Sequence, residues 1–283
     1  MADIWYALDV SIEVVAREAV EYALMEGGAL GTQFEEGQDN LAQVRAYFSE
    51  VPNRQRIREF LADALRIYSL NSSSVREMQL AEIENQDWLA EWKKIWQPIT
   101  VGERFVIAPS WFEISDSHDR IVIRIEPGMA FGTGTHETTR LCLEAIEKHF
   151  AGGSFLDVGA GTGILAIAAA KLFPASRVSA LDIDAQAIDI AKENARLNGV
   201  SQIEFLHGSV GETTPSSDLV CANLTAPVIL ELLPKLLGAT CRRLVLSGIL
   251  ESQSDLILVR LREQGIAEPI DISVGGEWVA IVV

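Results

Sequence analysis

Apolar residues change their period along this chain, and the changes divide it into parts. Residues 4–10, IWYALDV, form an apolar run of strand length. In SIEVVAREAVEYALMEGG the apolar positions Val14, Val15, Ala19, Val20 and Ala23 fall on one helical stripe, closed by Gly27 and Gly28. ALGTQFE and LAQVRAYF flank the turn EGQDN and read as a hairpin. After Pro52, RQRIREFLADALRIY turns Ile57, Phe60, Leu61, Ala64 and Leu65 inward, and VREMQLAEIE supplies a last strand with alternation. The order βαββαβ over residues 1–84 predicts a ferredoxin-like split motif, an α+β domain.

Residues 85–103 predict a linker. Within it Trp88, Trp92 and Trp96 recur every fourth residue and share one face of a helix, which the pattern expects to pack onto one of the domains. Residues 104–125 read as a pair of strands around a polar turn. From Glu137 onward, helical stretches such as TTRLCLEAIEKHF alternate with short buried runs such as SFLDVGA, RVSALDID and DLVCANL. Such alternation specifies an α/β domain over 104–283 with a parallel, doubly wound sheet. Its last two strands, EPIDISV and GEWVAIVV, have no helix between them and predict an antiparallel hairpin.

Composition narrows the function classes. The chain has 283 residues and a formal charge of −17, distributed as −8 over residues 1–100 and −9 over 101–283. Neither half would be drawn to a nucleic-acid backbone, so direct nucleic-acid binding is not expected; ordinary solubility or a cationic macromolecular partner accounts for the charge. The first thirty residues lack a basic leader, and Asp9, Glu13 and Glu18 interrupt their apolar positions, so neither a signal peptide nor a membrane span is expected. Cys142, Cys221 and Cys241 are far apart and without CxxC spacing, which predicts reduced, buried thiols in a cytoplasmic protein and no zinc site.

Two glycine-rich stretches carry the chemistry. In FLDVGAGTG, Phe155–Gly163, a buried strand runs into a turn and then a helix, the geometry that brings backbone amides to a ligand. The spacing is G-x-G-x-G over Gly159, Gly161 and Gly163, with Ile164 where a dinucleotide fingerprint has its third glycine. Asp157 just before the turn suits the cationic sulfonium and ammonium groups of S-adenosyl-L-methionine. Asp182, at the end of the next strand, is placed to take both ribose hydroxyls, with Asp184 as the cap of the following helix. A third strand ends in Asn223 at the ligand-binding edge; its carboxamide suits acceptance of a hydrogen bond from a nucleophilic nitrogen, or alternatively a turn before Pro227. The other stretch, EPGMAFGTGTHETT (126–139), lacks the lysine of a phosphate loop and the second histidine of a zinc-protease helix.

Taken in order, EPGMAFGTGTHETTRLCLE, FLDVGAGTGILAIAA, ALDIDAQAIDIAKENARLNGV, ANLTA, LSGIL and GEWVAIVV resemble the bacterial methyltransferase family that modifies large-subunit ribosomal protein eleven. The similarity runs from about Asp87 to the C-terminus and includes DWLAEWKKIWQPI and APSW. It implies a Rossmann-like class I S-adenosylmethionine-dependent catalytic domain, an N-terminal domain that grips the protein substrate, and N-methylation of lysine side chains or an N-terminal amine of a basic ribosomal protein. Alternatives are methylation of another protein or of RNA, or a non-catalytic protein of the same fold. The resemblance makes GTGTH a lid over the methionine end of the cofactor, with Thr135 capping the next helix and Gly132 and Gly134 letting backbone approach the ligand. Asn223 would orient the amine, Thr133 and Thr135 would shape the methyl-transfer end, and Thr135 and Asn223 would also contact the cofactor. Ser209 stands where many related enzymes carry an acidic adenine contact. His136 receives no role as a base.

Overall fold

Strand-length alternation in the first ninety residues becomes a four-stranded antiparallel sheet in the computed structural model, which describes all residues except 1–4, 30, 38–39, 49, 69, 84–96, 115–118, 127–133 and 135. The chain divides into two compact units, the first within residues 1–96 and the second within 97–126 and 132–283.

The first unit runs β1 (Trp5–Glu13), α1 (Arg17–Glu26), β2 (Gly31–Glu36), β3 (Leu41–Phe48), α2 (Arg54–Ile67) and β4 (Val75–Ile83). Its sheet order is β2-β3-β1-β4 with every pair antiparallel, the order of a split βαβ fold. Alternation explains its single core: Leu8, Val10 and Ile12 of β1 are buried against Ala19, Val20, Ala23 and Leu24 of α1 and Ile57 and Leu61 of α2. Asp9 points to the other face, where Arg45 of β3 grips its carboxylate with two nitrogens. α2 starts where Asn53 accepts from the amides of Gln55 and Arg56. The predicted helical stripe was too long at its start, because residues 14–16 form a tight 3-10 turn and Val15 is exposed. The tryptophan helix of the linker lies outside the described residues.

The second unit begins with β5 (Ile99–Val101), β6 (Phe105–Pro109) and β7 (Ile121–Ile125) in a three-stranded sheet. Residues 99–101 therefore belong to this sheet, pairing with β6, and are not part of a linker extending to 103. The expected pair of strands is β6 and β7, which pair directly and run parallel.

There follow α3 (Glu137–His149), β8 (Ser154–Val158), α4 (Ile164–Leu172), β9 (Arg177–Asp182), α5 (Ala185–Leu197), β10 (Ile203–His207), β11 (Ser217–Asn223), α6 (Ala226–Gly238), β12 (Thr240–Leu250), α7 (Ser254–Glu263), β13 (Asp271–Gly275) and β14 (Trp278–Val282). The sheet order is β10-β9-β8-β11-β12-β14-β13, parallel from β10 to β12 and antiparallel at β14 and β13, as the helix-free ending predicts. Both faces are covered, which is why its strands are continuous apolar runs: Phe155 joins a core with α3, α4 and the small sheet, while Leu156 and Val158 join a core with α6 and α7. From β8 the chain moves outward to β9 and β10, then returns to β11 on the other side of β8. The carboxyl ends of β8 and β11 thus flank a topological switch point, where open α/β sheets bind ligands. Cys142 and Cys221 are buried as expected, whereas Cys241 is exposed. Among the described residues no helix is long and apolar enough to cross a membrane.

Candidate cofactor and acceptor site

The turn after β8 alternates backbone hand. Gly159, Gly161 and Gly163 have φ of +81°, +52° and +78°, a region that side chains disfavour, so each glycine of the G-x-G-x-G spacing is required by conformation. A Cβ on Gly159 would lie 2.5 Å from Leu224 Cδ2, and one on Gly163 would lie 2.9 Å from Ala191 Cβ of α5. Close packing from both sides therefore adds to the backbone requirement. The amides of Gly159 and Ala160 both donate to the Leu181 carbonyl at 2.9 Å, which ties the turn to the end of β9.

Asp182 completes that tie. Its Oδ2 accepts from the Gly161 amide at 2.8 Å and its Oδ1 from the Asp184 amide at 2.9 Å, so both oxygens are oriented while each keeps a lone pair to offer. Asp184 caps α5 by accepting from the Gln186 amide at 2.8 Å, which separates the roles of the two aspartates as the sequence reading does. Beside them Ile183 is 75% exposed, a large apolar side chain at a polar strand end that the sequence reading passed over. The Gly208 amide donates to the Asp182 carbonyl at 2.7 Å, so the exposed Ser209 follows directly on a residue bound to the β9 end.

Asp157 is fully enclosed beneath the turn. Its Oδ2 accepts from the Ala166 amide in the first turn of α4 at 3.2 Å, and its Oδ1 has no hydrogen-bond partner among the described residues. Burial pushes the carboxyl up to about 8; the Ala166 amide opposes the shift and the nearby charge of Asp182 adds to it. A buried carboxyl with one unmatched oxygen, beside a strand-end carboxylate with spare lone pairs, fits a ligand bearing a cation and vicinal hydroxyls.

Asn223 ends β11, half-buried, and its Nδ2 donates to Thr138 Oγ1 at 3.3 Å. Thr138 Oγ1 lies 2.8 Å from His136 Nδ1, and the Thr138 amide also donates to Nδ1 at 3.3 Å. Nδ1 is therefore the acceptor, which puts the proton of the neutral ring on Nε2. Burial holds the His136 pKa below its ordinary value, keeping that form. The Thr138 hydroxyl gives its proton to His136 and receives the Asn223 amide, so the carboxamide presents Oδ1 as an acceptor without a partner among the described residues. The Trp278 ring meets His136 edge to face at 5.1 Å, which gives the C-terminal GEW stretch a place in the same network.

Two expectations about the first glycine-rich stretch change, and the others fall on residues that are not described. The cap of α3 is His136, through Nδ1, and not Thr135. Thr133 and Thr135, with Gly132 and the rest of the expected lid, lie outside the described residues. Gly134 is described, at φ +85°, and the space of its missing Cβ is taken by protein: that atom would lie 2.8 Å from Ile107 Cγ2 and 3.1 Å from Ile164 Cδ1. Gly134 thus packs the first stretch against the helix that follows the second, where a ligand approach was expected. LSGIL has a similar packing reason. Gly248, at φ +82° where the β12–β14 pairing shifts register, leaves room for the Leu224 carbonyl, and Leu224 in turn fills the space beside Gly159.

Comparison with known proteins follows the same residues. A family model described as ribosomal protein L11 methyltransferase matches residues 4–283. The ribosomal protein L11 methyltransferase of Caldicellulosiruptor bescii is 35% identical over 98% of this chain and 98% of its own length. That of Pelotomaculum thermopropionicum is 38% identical over 86% of this chain and 79% of its own. Among solved structures, the ribosomal protein L11 methylase of Lactobacillus delbrueckii subsp. bulgaricus superposes with a TM-score of 0.61 and 31% identity, covering 66% of this chain and 97% of that one.

Proposed function

The chain belongs to the ribosomal protein L11 methyltransferase family, and on that premise we propose how its residues transfer methyl groups from S-adenosylmethionine to amino nitrogens of L11, lysine side chains or the N-terminal amine. The observation that carries the reading is the convergence, at one switch point, of the turn 159–163, the oriented carboxylate of Asp182 and the directed carboxamide of Asn223.

S-adenosylmethionine supplies an activated methyl group on a positively charged sulfur. Asp182 holds the ribose hydroxyls with the lone pairs its backbone partners leave free, and Ile183 covers the base from its exposed side. Asp157 Oδ1 offers negative charge to the cationic methionine end. Ser209 sits on the adenine side. Asn223 Oδ1 accepts an N–H of the incoming amine and aims the nitrogen lone pair. A lysine amine has a pKa of about 10.4 in water and reacts only uncharged, so partial desolvation beside the cofactor's positive charge must favour the neutral form. With a positioned nucleophile and no covalent intermediate, alignment supplies most of the acceleration. Thr133 and Thr135 keep their assignment to the methyl-transfer end from resemblance alone.

The first unit is the part proposed to hold the protein substrate. Glu35, Glu36 and Glu77 are exposed on its strands, and its acidic balance suits a basic partner. The direct test incubates the protein with labelled S-adenosylmethionine and, separately, L11 and ribosomal RNA. Label in L11 that falls away with rising salt is the expected result; label in RNA alone would reject the protein-substrate reading.

The ribose contact has its own check. Asp182→Asn, which keeps the volume but loses a charged acceptor, is expected to weaken S-adenosylmethionine binding roughly tenfold to a hundredfold. Wild-type affinity by calorimetry would move that contact elsewhere.

A further inference from the structure

β7 is the edge strand of the three-stranded sheet, yet side chains take up most of its outer hydrogen-bonding row. Lys171 Nζ of α4 donates to the Val122 carbonyl at 2.6 Å. Asn198, just past the end of α5, accepts from the Arg124 amide at 2.8 Å and donates to the Arg124 carbonyl at 2.6 Å. Asn194 Oδ1 accepts from the Glu126 amide at 3.0 Å. Side chains thus serve residues 122, 124 and 126 as a neighbouring strand would. The match is geometric: four residues of helix rise roughly 6 Å, close to the two-residue repeat of a strand at roughly 6.6 Å.

Asn194 differs from its companions in one respect. Its Nδ2 donates to the carbonyl of Thr162, inside the turn 159–163, at 2.9 Å, and the residue is 1% exposed. One buried carboxamide therefore spans from the end of β7 to the turn, with both of its ends engaged.

We propose that Asn194 is a positioning residue for the cofactor-binding turn: it holds the Thr162 carbonyl from below, anchored through its own Oδ1 on the Glu126 amide. A Thr162 carbonyl drawn down toward α5 fixes the peptide plane that joins it to Gly163, whose left-handed backbone packs on Ala191 of the same helix. The Gly161 amide is held from the other side by Asp182, so the turn is clamped between two side chains of opposite hydrogen-bonding character. Asn194 touches no ligand and acts through the backbone it orients.

This inference rests on the turn being the S-adenosylmethionine site, and the two stand or fall separately in one experiment. Asn198→Ala is the matched control, because it also removes bonds to β7 but none to the turn. S-adenosylmethionine affinity is measured by calorimetry, with thermal melts, for the full-length wild type, Asn194→Ala and Asn198→Ala at a temperature where each is folded. Asn194→Ala is expected to bind at least about tenfold more weakly, and Asn198→Ala within about twofold of wild type, even where its melting temperature falls as far. Equal affinities in the two variants would overturn the proposal and leave Asn194 as part of the β7 clasp. Should Asn194→Ala not fold, Asn194→Leu takes its place: it keeps most of the volume but offers Thr162 no donor. Weakened binding then supports the role, and wild-type affinity overturns it. A wild-type protein that does not bind S-adenosylmethionine would remove the cofactor reading itself.

Discussion

S-adenosylmethionine affinity is expected to climb with pH across the range from about 6 to 8, by up to about tenfold per unit, because a proton must leave Asp157 as the cofactor binds. In the protein alone, burial raises this carboxyl to about 8, so at neutral pH it is mostly protonated. A cation beside the unmatched Oδ1 reverses that preference and favours the carboxylate. Binding and proton release are then linked, and the slope vanishes above about 8, where the proton has already gone. The cofactor's own α-amino group titrates in the same window, so the decisive quantity is the difference between wild type and Asp157→Asn. Calorimetry in buffers of different ionisation enthalpy should find close to one more proton released at pH 7 by wild type than by the variant. The ligand-free protein should behave in the complementary way. A carboxyl whose folded pKa lies above its unfolded value of about 3.9 contributes stability below that value, and the contribution is lost as pH rises toward about 8. Asp157→Asn should flatten that loss. Identical pH profiles for the two proteins would separate Asp157 from the cofactor and leave it as a support for the first turn of α4.

How far the sequence carried this site depended on what kind of signal each residue leaves. The glycines of FLDVGAGTG were legible because three positive-φ positions spaced by two residues leave a pattern that few other structures demand. Asp182 and Asp184 were separable because one ends a strand and the other precedes a helix. The direction of β7 was not legible: two apolar runs with a polar stretch between them look the same whether the second pairs parallel or antiparallel. The cap of α3 was missed because a threonine is the favoured cap by composition, while a histidine caps only when burial keeps its Nδ1 unprotonated. Asn194 and Asn198 were hidden for another reason. Their spacing marks a common helix face, but nothing in the local pattern announces that this face meets a strand edge some seventy residues away in sequence. Gly134 misled in the same way, since it serves protein packing at a place where ligand approach is an equally good reading of the letter.

Asn223→Ala is expected to cut the methylation rate roughly a hundredfold at saturating cofactor and L11. Asn223 acts by direction more than by attraction. An amide in this position would be of little use if it rotated, since its NH2 end would then repel an N–H donor. The network prevents this: Thr138 Oγ1 takes the Asn223 Nδ2 proton only because its own hydrogen is committed to His136 Nδ1, and His136 is available as an acceptor only because it is neutral. Removing the hydroxyl should therefore reproduce part of the loss with Asn223 still present. Thr138→Val, of similar shape, is expected to lower the rate by roughly tenfold, and the double variant with Asn223→Ala to be little worse than Asn223→Ala alone, because both act on one carboxamide. Rapid-quench measurement of a single turnover isolates the chemical step from product release. Independent, multiplying losses in the double variant would mean that Thr138 acts elsewhere, and an unchanged single-turnover rate in Asn223→Ala would take the asparagine out of the transfer step altogether.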